Sequence, residues 1–228
     1  MKQKIFLSEF DGSESFLHDG TIGCIMLKNR REGITMGVEF ELKFAAEPAQ
    51  QEVIRQQYLP SYEQFRMQTT YYDTPSKGLS QRHITLRCRM ENDEAVCTVK
   101  TPISGYGRGE WDCRCDEISN AIPLLIEAGA PPGLSELTAE GLVPVCGARF
   151  TRHAGVIDFA DSVLEIALDI GVLMGGGQEL PLCEVEVELK SGQPEAAVAF
   201  GMELQKLFNL VPQNKSKFRR ALELAEGV

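Results

Sequence analysis

The sequence lacks any apolar run that approaches the roughly 20 residues needed for a membrane-spanning helix. It also lacks a basic excess: the formal net charge is −10 over 228 residues. Non-specific binding to nucleic acid or to anionic lipid is therefore not expected. Hydrophobic residues make up 43% and charged residues 25% of the chain, which is typical of a globular protein. We predict a partner that is a small molecule, with neither nucleic acid nor membrane involved.

Paired cysteines are also missing. The seven cysteines are an odd number, scattered mostly through strand-like stretches. Cys113 and Cys115 form a C-x-C pattern, but no second pair and no histidine follow at zinc-finger spacing. The sequence therefore predicts buried, reduced thiols and a cytoplasmic protein.

Residues 1–35 lack a clean helix or strand period. They end in a stretch, Arg30-Arg31-Glu32-Gly33, that purine-rich codons would encode, as expected of a ribosome-binding site upstream of a start at Met36. We predict that residues 1–35 are a leader that is disordered or not native, and that residues 36–228 form one domain.

What the remainder does contain is a repeated alternation of charged and apolar residues. The stretch "VEFELKF" (38–44) places Glu39, Glu41 and Lys43 on one face and apolar side chains on the other. A solvated sheet face is the ordinary reading of one such strand. However, Glu184, Glu186 and Glu188 would repel one another at spacings of about 7 Å unless cations balance them.

Eight such strands can close into a barrel, which removes the exposed sheet edges. Helix-like stretches at 48–65, 118–129 and 194–210 can then cover the apolar outer faces. The predicted fold is thus α+β: a closed eight-stranded antiparallel β-barrel, or tunnel, with a polar lumen and helices outside.

Two chemical sets face this predicted lumen. Arginine and lysine donors suit a ligand with several phosphates, and they are Lys43, Arg87, Arg89, Lys100 and Arg108. Carboxylates suit a hard divalent cation such as Mg²⁺ or Mn²⁺, and they are Glu39, Glu41, Glu184 and Glu186. A cation and a polyphosphate in one pocket are the arrangement used for phosphoryl transfer.

Eight motifs in order resemble the CYTH domain, or triphosphate tunnel metalloenzyme, family. After "EFELK", which fits its E-x-E-x-K signature, come "YYDTP", "TLRCR", "TVK", "RGEWD", "EIALD", "EVEVEL" and "SKFRR". The likeness extends from about residue 37 to 226 and is nearest to the bacterial inorganic triphosphatases. Asp112 departs from the more frequent glutamate of the family, and residues 1–35 have no counterpart in it.

The resemblance implies roles for individual residues. Metal would bind Glu39, Glu41, Glu184 and Glu186, with Glu188 and Asp169 as second choices. Phosphates would bind Arg87, Arg89, Lys100, Arg152, Lys43 and Arg108, and also Lys217 and Arg220 from the closing helix. The resemblance further implies that the catalytic residues are Glu39, Glu41 and Lys43.

The function that follows is metal-dependent hydrolysis of tripolyphosphate to pyrophosphate and phosphate by a metal-activated water. Two enzymatic alternatives share the tunnel, a thiamine triphosphatase and a class IV adenylyl cyclase. A non-catalytic polyphosphate-binding module is the alternative from another class. The sequence leaves open the substrate, the choice between Mg²⁺ and Mn²⁺, and whether the protein is a monomer or a homodimer.

Overall fold

The computed structural model describes the backbone of residues 15–18, 21–31, 34–102 and 108–228, and the side chains of residues 40–102 and 109–228. Its strands are β1 (Ser15–His18), β2 (Thr21–Arg31), β3 (Ile34–Ala45), β4 (Glu63–Asp73), β5 (Thr85–Glu91), β6 (Glu94–Pro102), β7 (Arg108–Arg114), β8 (Val143–Phe159), β9 (Ser162–Gly175), β10 (Gln178–Ser191) and β11 (Val211–Pro212). Its helices are α1 (Pro48–Tyr58), α2 (Ile118–Glu127), α3 (Leu134–Leu137), α4 (Pro194–Phe208) and α5 (Lys217–Glu226). Within this described part, no helix has the length and apolarity to cross a membrane.

All strands belong to one antiparallel sheet. Its order is β1-β2-β3-β10-β9-β8-β4-β5-β6-β7, and β11 pairs with β3. The run from β3 to β7 contains the eight predicted strands, so the α+β class and the antiparallel pairing are confirmed. The predicted helix 48–65 ends at Tyr58, before Pro60, and β4 begins at Glu63.

The predicted closure into an eight-stranded barrel is not seen in the hydrogen bonding. Among the described strands no ladder joins β7 to β3, although the two strands lie close together. The physical reason is that β3 has no free edge. One edge pairs with β10, and the other pairs with β2 and β11. The sheet is therefore open between β7 and β3.

β1 and β2 fall within the predicted leader, residues 1–35. The other residues of that stretch before Ile34 lie outside the described residues. Whether the leader is native or dispensable stays a prediction.

The apolar faces of the strands pack outward against helices, as predicted. Phe40, Leu42 and Phe44 of β3 join a buried cluster with residues of β9 and β10 and with Phe200 and Leu204 of α4. At Gly201, an added Cβ would lie 2.4 Å from Leu42 Cδ1, so glycine lets α4 approach the sheet closely. A second cluster packs β5, β6 and β7 against α2.

Helix α5 lies against the opposite face of the sheet. Its Ala221 is buried with Met67, Phe150, Leu173 and Leu182, which alternate in phase with the charged residues of their strands. Phe218 packs against Tyr71 with ring centroids 5.0 Å apart. We call this side the charged face. The part of the charged face that α5 covers is apolar. This apolar contact anchors the helix beside the charged residues.

Candidate metal and polyphosphate site

Three carboxylates meet on the charged face, and we call Asp169, Glu184 and Glu186 the acidic group. Alternation along β10 places Glu184 and Glu186 on the same side, and the strand register places Asp169 directly opposite Glu184. One oxygen from each of the three lies within 4.8 Å of the others. Asp169 and Glu184 are fully buried. Like charges buried this closely require cations beside them.

Lys217 provides one such cation. Its Nζ lies 2.5 Å from Glu184, 2.7 Å from Glu186 and 2.9 Å from Asp169. Lys217 is the first residue of α5, since Ser216 caps the helix by accepting a hydrogen bond from the backbone N–H of Arg219. Burial opposes the ammonium charge, but the three carboxylates outweigh it and raise the pKa of Lys217.

Two arginines complete the neutralisation of the acidic group. Arg152 donates from Nε and a terminal nitrogen to both oxygens of Asp169, each at 2.7 Å, and reaches Glu186 at 2.5 Å. Arg220 of α5 donates to Glu184. Burial alone would raise the pKa of Glu186, but Lys217 and Arg152 hold it well below its usual range.

Lys43 lies next to the acidic group, opposite Glu186 in the register of β3 and β10. Its Nζ contacts Glu41 at 2.8 Å. Burial would lower the pKa of Lys43, but the charges of Glu41 and Glu186 outweigh it and raise that pKa. The side chains of the E-x-E-x-K strand that the structure describes therefore pair with each other as well as facing the acidic group.

Farther round the same face lie Arg87 and Arg89 of β5 and Lys100 of β6, which we call the basic group. Glu110 of β7 sits among them, directly opposite Lys100 in register. Its carboxylate lies 2.9 Å from Lys100 and 3.6 Å from Arg87. Burial would raise the pKa of Glu110, but Lys100 and Arg87 lower it.

Arg89 of the basic group makes only a long contact to a carboxylate among the described residues. It donates from Nε to the Thr69 hydroxyl at 3.1 Å, and its nearest described carboxylate, Glu91, is 3.4 Å away. Burial and the neighbouring Arg87 lower the pKa of Arg89. Positive charge that is buried and repelled in this way favours a bound anion.

Behind the acidic group, a buried glutamine ties the two strands to α1. Gln51 donates from Nε2 to the backbone carbonyls of Asp169, at 2.9 Å, and Glu184, at 2.7 Å. It therefore fixes the backbone that carries two of the three carboxylates.

The structure brings most of the predicted site residues together on one face. Asp169, a second choice in the sequence prediction, joins Glu184 and Glu186, whereas Glu41 and Glu188 are not members of that group. Glu188 instead contacts Lys190 at 3.0 Å. Glu39 lies on β3 and Arg108 on β7, but both side chains lie outside the described residues.

Two residues with clear contacts to the site were missed. Glu110 was seen only as part of a charged strand, although the short connection from β6 to β7 would have placed it opposite Lys100. Gln51 carried no usable signal, because a polar residue on a partly apolar helix stripe resembles an exposed one.

The acidic group fits a hard divalent cation. Its donors are carboxylate oxygens, which Mg²⁺ and Mn²⁺ prefer. The ammonium of Lys217 already shows that a cation is stable among these three side chains. The residues that could hold a metal are therefore Asp169, Glu184 and Glu186.

An antiparallel sheet with a polyionic face, carboxylates grouped on one part and guanidinium and ammonium groups on another, is suited to holding a metal together with a polyanion. Comparison with known families agrees. The family model for the CYTH domain matches residues 37–222. The chain belongs to the CYTH domain family, which confirms the resemblance found in the sequence.

Similar proteins are known from several organisms. An inorganic triphosphatase from Haemophilus influenzae is 32% identical over 163 residues, which are 68% of this chain and 46% of that protein. The chain thus spans about half the length of this relative. This match confirms the predicted likeness to bacterial inorganic triphosphatases.

Solved structures share the fold. A Hippeastrum protein, described as a candidate adenylyl cyclase with a dominant triphosphatase activity, superposes with a TM-score of 0.58 at 17% identity and covers 83% of this chain and 96% of that one. The PH1819 protein of Pyrococcus horikoshii gives a TM-score of 0.56 at 21% identity, covering 82% and 99% respectively.

Proposed function

We propose that the protein is a metal-dependent triphosphatase that splits tripolyphosphate into pyrophosphate and phosphate. One observation carries the proposal: a group of three carboxylates fit for a metal lies on the same sheet face as a group of partly buried arginines and a lysine. The Haemophilus relative, an inorganic triphosphatase, supports the choice of substrate.

In this proposal the basic group binds the substrate and the acidic group holds the metal. Arg87, Arg89 and Lys100 bind phosphate oxygens, since guanidinium forks and ammonium groups match them geometrically and electrically. Mg²⁺ or Mn²⁺, when bound, would neutralise phosphate oxygens and lower the pKa of a water. Asp169, Glu184 and Glu186 would hold it, with Glu39 and Glu41 of β3 as further candidate ligands and Lys43 close to the reacting phosphate.

The chain also supplies donors that a phosphate could use. The Nε of Arg220 is buried and has no hydrogen-bond acceptor among the described residues. A buried donor without an acceptor costs stability, so a ligand oxygen at this position would be favoured. In the proposed reaction, the oxygen of a water attacks the terminal phosphorus of tripolyphosphate and the bridging P–O bond breaks. Pyrophosphate leaves with the electron pair of that bond, and the proton that the water loses passes to pyrophosphate or to solvent.

We further propose that the eight strands from β3 to β7 enclose the substrate as a tunnel. Support comes from the approach of β7 to β3 in the described structure. The domain would comprise residues 36–228, with Arg108 and Glu188 on the same lining. The proposed setting is the cytoplasm, supported by the free thiols of all six described cysteines, with the protein a monomer or a homodimer.

The test is phosphate release from tripolyphosphate, ATP and thiamine triphosphate, each with Mg²⁺ and then with Mn²⁺. We expect tripolyphosphate to be hydrolysed fastest, with no release in the presence of a chelator. Preferred release from thiamine triphosphate, or cyclic nucleotide formation from ATP, would favour the thiamine triphosphatase or the adenylyl cyclase. Tight binding of tripolyphosphate without release from any substrate would favour a non-catalytic binding module.

A further inference from the structure

Lys217 occupies the position among the acidic group where a cation is most stabilised. Its side chain is only 8% exposed, and its Nζ lies within 2.9 Å of all three carboxylates. The first turn of a helix is an unfavourable place for a cation, because the helix dipole is positive there. The acidic group, rather than the helix, therefore determines where this ammonium lies.

A metal bound by the same three oxygens would have to lie in nearly the same place. Metal–oxygen distances for Mg²⁺ and Ca²⁺ are about 2.0–2.6 Å, and the ammonium contacts here are 2.5–2.9 Å. One oxygen from each of the three carboxylates lies within 4.8 Å of the others. Two cations cannot share so small a space without strong repulsion.

We propose that Lys217 is a built-in counter-ion that a metal displaces when it binds to the acidic group, which rests on the metal site of the proposed function. Before the metal binds, the ammonium keeps the three carboxylates, two of them fully buried, compatible with a folded sheet. After it binds, the ammonium moves to a new partner on the charged face, where phosphate oxygens are the suitable acceptors.

The side chain can make this move without moving the helix. Lysine carries its charge on a flexible four-carbon stem, while α5 is held by Ala221 and Phe218 in the apolar cluster. The ammonium competes with a metal for the acidic group. The apparent affinity of the substrate-free protein for metal is therefore the intrinsic affinity multiplied by the fraction of time that the ammonium is elsewhere. A metal should therefore bind weakly alone.

The test is the affinity of the substrate-free full chain for Mn²⁺, measured by calorimetry without any phosphate present. Lys217→Met should bind Mn²⁺ about 10-fold or more tightly than the unsubstituted protein, a change on the scale seen when the surroundings of a metal site are altered. Lys217→Arg, which keeps the charge, should bind no more tightly than the unsubstituted protein.

Lys215→Met is the matched control. Lys215 precedes the same helix and pairs with Glu223 at the surface, so its loss should leave Mn²⁺ affinity unchanged. If Lys217→Met does not fold without metal, Lys217→Gln, which is neutral but still donates hydrogen bonds to carboxylates, replaces it. Added Mn²⁺ should then raise the midpoint temperature of thermal unfolding more for that variant than for the unsubstituted protein.

Unchanged or weaker Mn²⁺ binding by both neutral variants would overturn the proposal, as would an equal gain in Lys215→Met. These outcomes are distinct from failure of the proposed function. Tighter binding in Lys217→Met, with no phosphate release from any substrate by the unsubstituted protein, would leave the competition standing and reject the triphosphatase.

Discussion

The acidic group and the basic group differ in where their counter-ions come from. The acidic group takes one counter-ion from the closing helix, since Lys217 is 31 residues from Glu186. It takes another from a neighbouring strand, since Arg152 lies directly opposite Asp169 in the register of β8 and β9. The basic group receives Glu110 from the adjacent strand of the same hairpin, opposite Lys100. The acidic group thus depends on the docking of α5, whereas the basic group is assembled by local strand pairing.

Two members of the acidic group are more deeply buried than the members of the basic group. The side chains of Asp169 and Glu184 are 0% and 1% exposed, whereas those of Arg87 and Lys100 are 16% and 17% exposed. Charges that are cut off from water interact strongly and are costly to leave unbalanced. Changes in the acidic group should therefore have the larger effects.

Glu186→Gln should have the largest effect. Glu186 contacts both Lys217 and Arg152 and is a candidate metal ligand. Its loss removes a negative charge that balances these two cations and weakens the metal site. We expect kcat to fall by about 100-fold or more, the upper part of the range for residues that support a metal site. Steady-state phosphate release with metal titration measures it.

Glu179→Gln is the control for this substitution, since Glu179 lies on the same strand but pairs with Arg149 at the surface. Near-normal turnover and metal dependence of Glu186→Gln would show that the acidic group is a structural ion-pair network only.

Arg89→Ala should reduce kcat/KM by about 10- to 150-fold, because one charge-assisted hydrogen bond is worth roughly 1.5–3 kcal/mol. If Arg89 contacts the triphosphate equally before and during the reaction, the loss appears in KM; if it meets charge that grows in the transition state, the loss appears in kcat. Arg114→Ala is the control, since Arg114 is largely exposed. A normal kcat/KM for Arg89→Ala would remove the basic group from substrate binding.

Gln51→Leu should destabilise the fold by about 1–3 kcal/mol, the cost of leaving buried polar groups unsatisfied. Because Gln51 holds the carbonyls of Asp169 and Glu184, affinity for Mn²⁺ should fall as well, while binding of tripolyphosphate without metal should not. Denaturant unfolding and calorimetry measure the two effects. Gln56→Leu on the same helix, where Gln56 is exposed and donates a hydrogen bond to Glu52, is the control.

Glu110→Gln should change how stability depends on pH. The pKa of Glu110 lies below its ordinary value of 4.5, so its stabilising charge is fully present above pH 4.5 and is lost as the pH falls through the lower folded-state pKa. Removing the carboxylate should make stability depend less on pH across that acidic range. Thermal unfolding at a series of pH values measures it, and an unchanged profile would place the acid sensitivity elsewhere.

A chain that starts at Met36 should show the smallest effect, with folding and activity retained. β2 pairs with the edge of β3 that β7 would need for closure, so removal of residues 1–35 frees that edge. Loss of more than about 2 kcal/mol of stability would identify the leader as a structural element, because changes of that size come from buried contacts.

Sequence reasoning went furthest where structure is local. Alternation along β3 and β10 correctly placed Glu41, Lys43, Glu184 and Glu186 on one face, since side-chain direction in a strand depends only on parity. It did not identify Lys217 as the partner of the acidic group rather than of phosphate, because that contact requires α5 to dock on a distant strand. The prediction of a closed barrel was wrong for a related reason. Nothing in the alternation of charged and apolar residues showed that β2 would pair with the edge of β3.

The most direct test of the central claim, that both groups serve one reaction, is a phosphorus NMR time course on tripolyphosphate with the unsubstituted protein. We expect pyrophosphate and phosphate to appear in equal amounts with Mg²⁺ or Mn²⁺ and neither to appear when a chelator is present. Tripolyphosphate that binds but persists in the presence of either metal, or hydrolysis that continues with the chelator, would contradict the account.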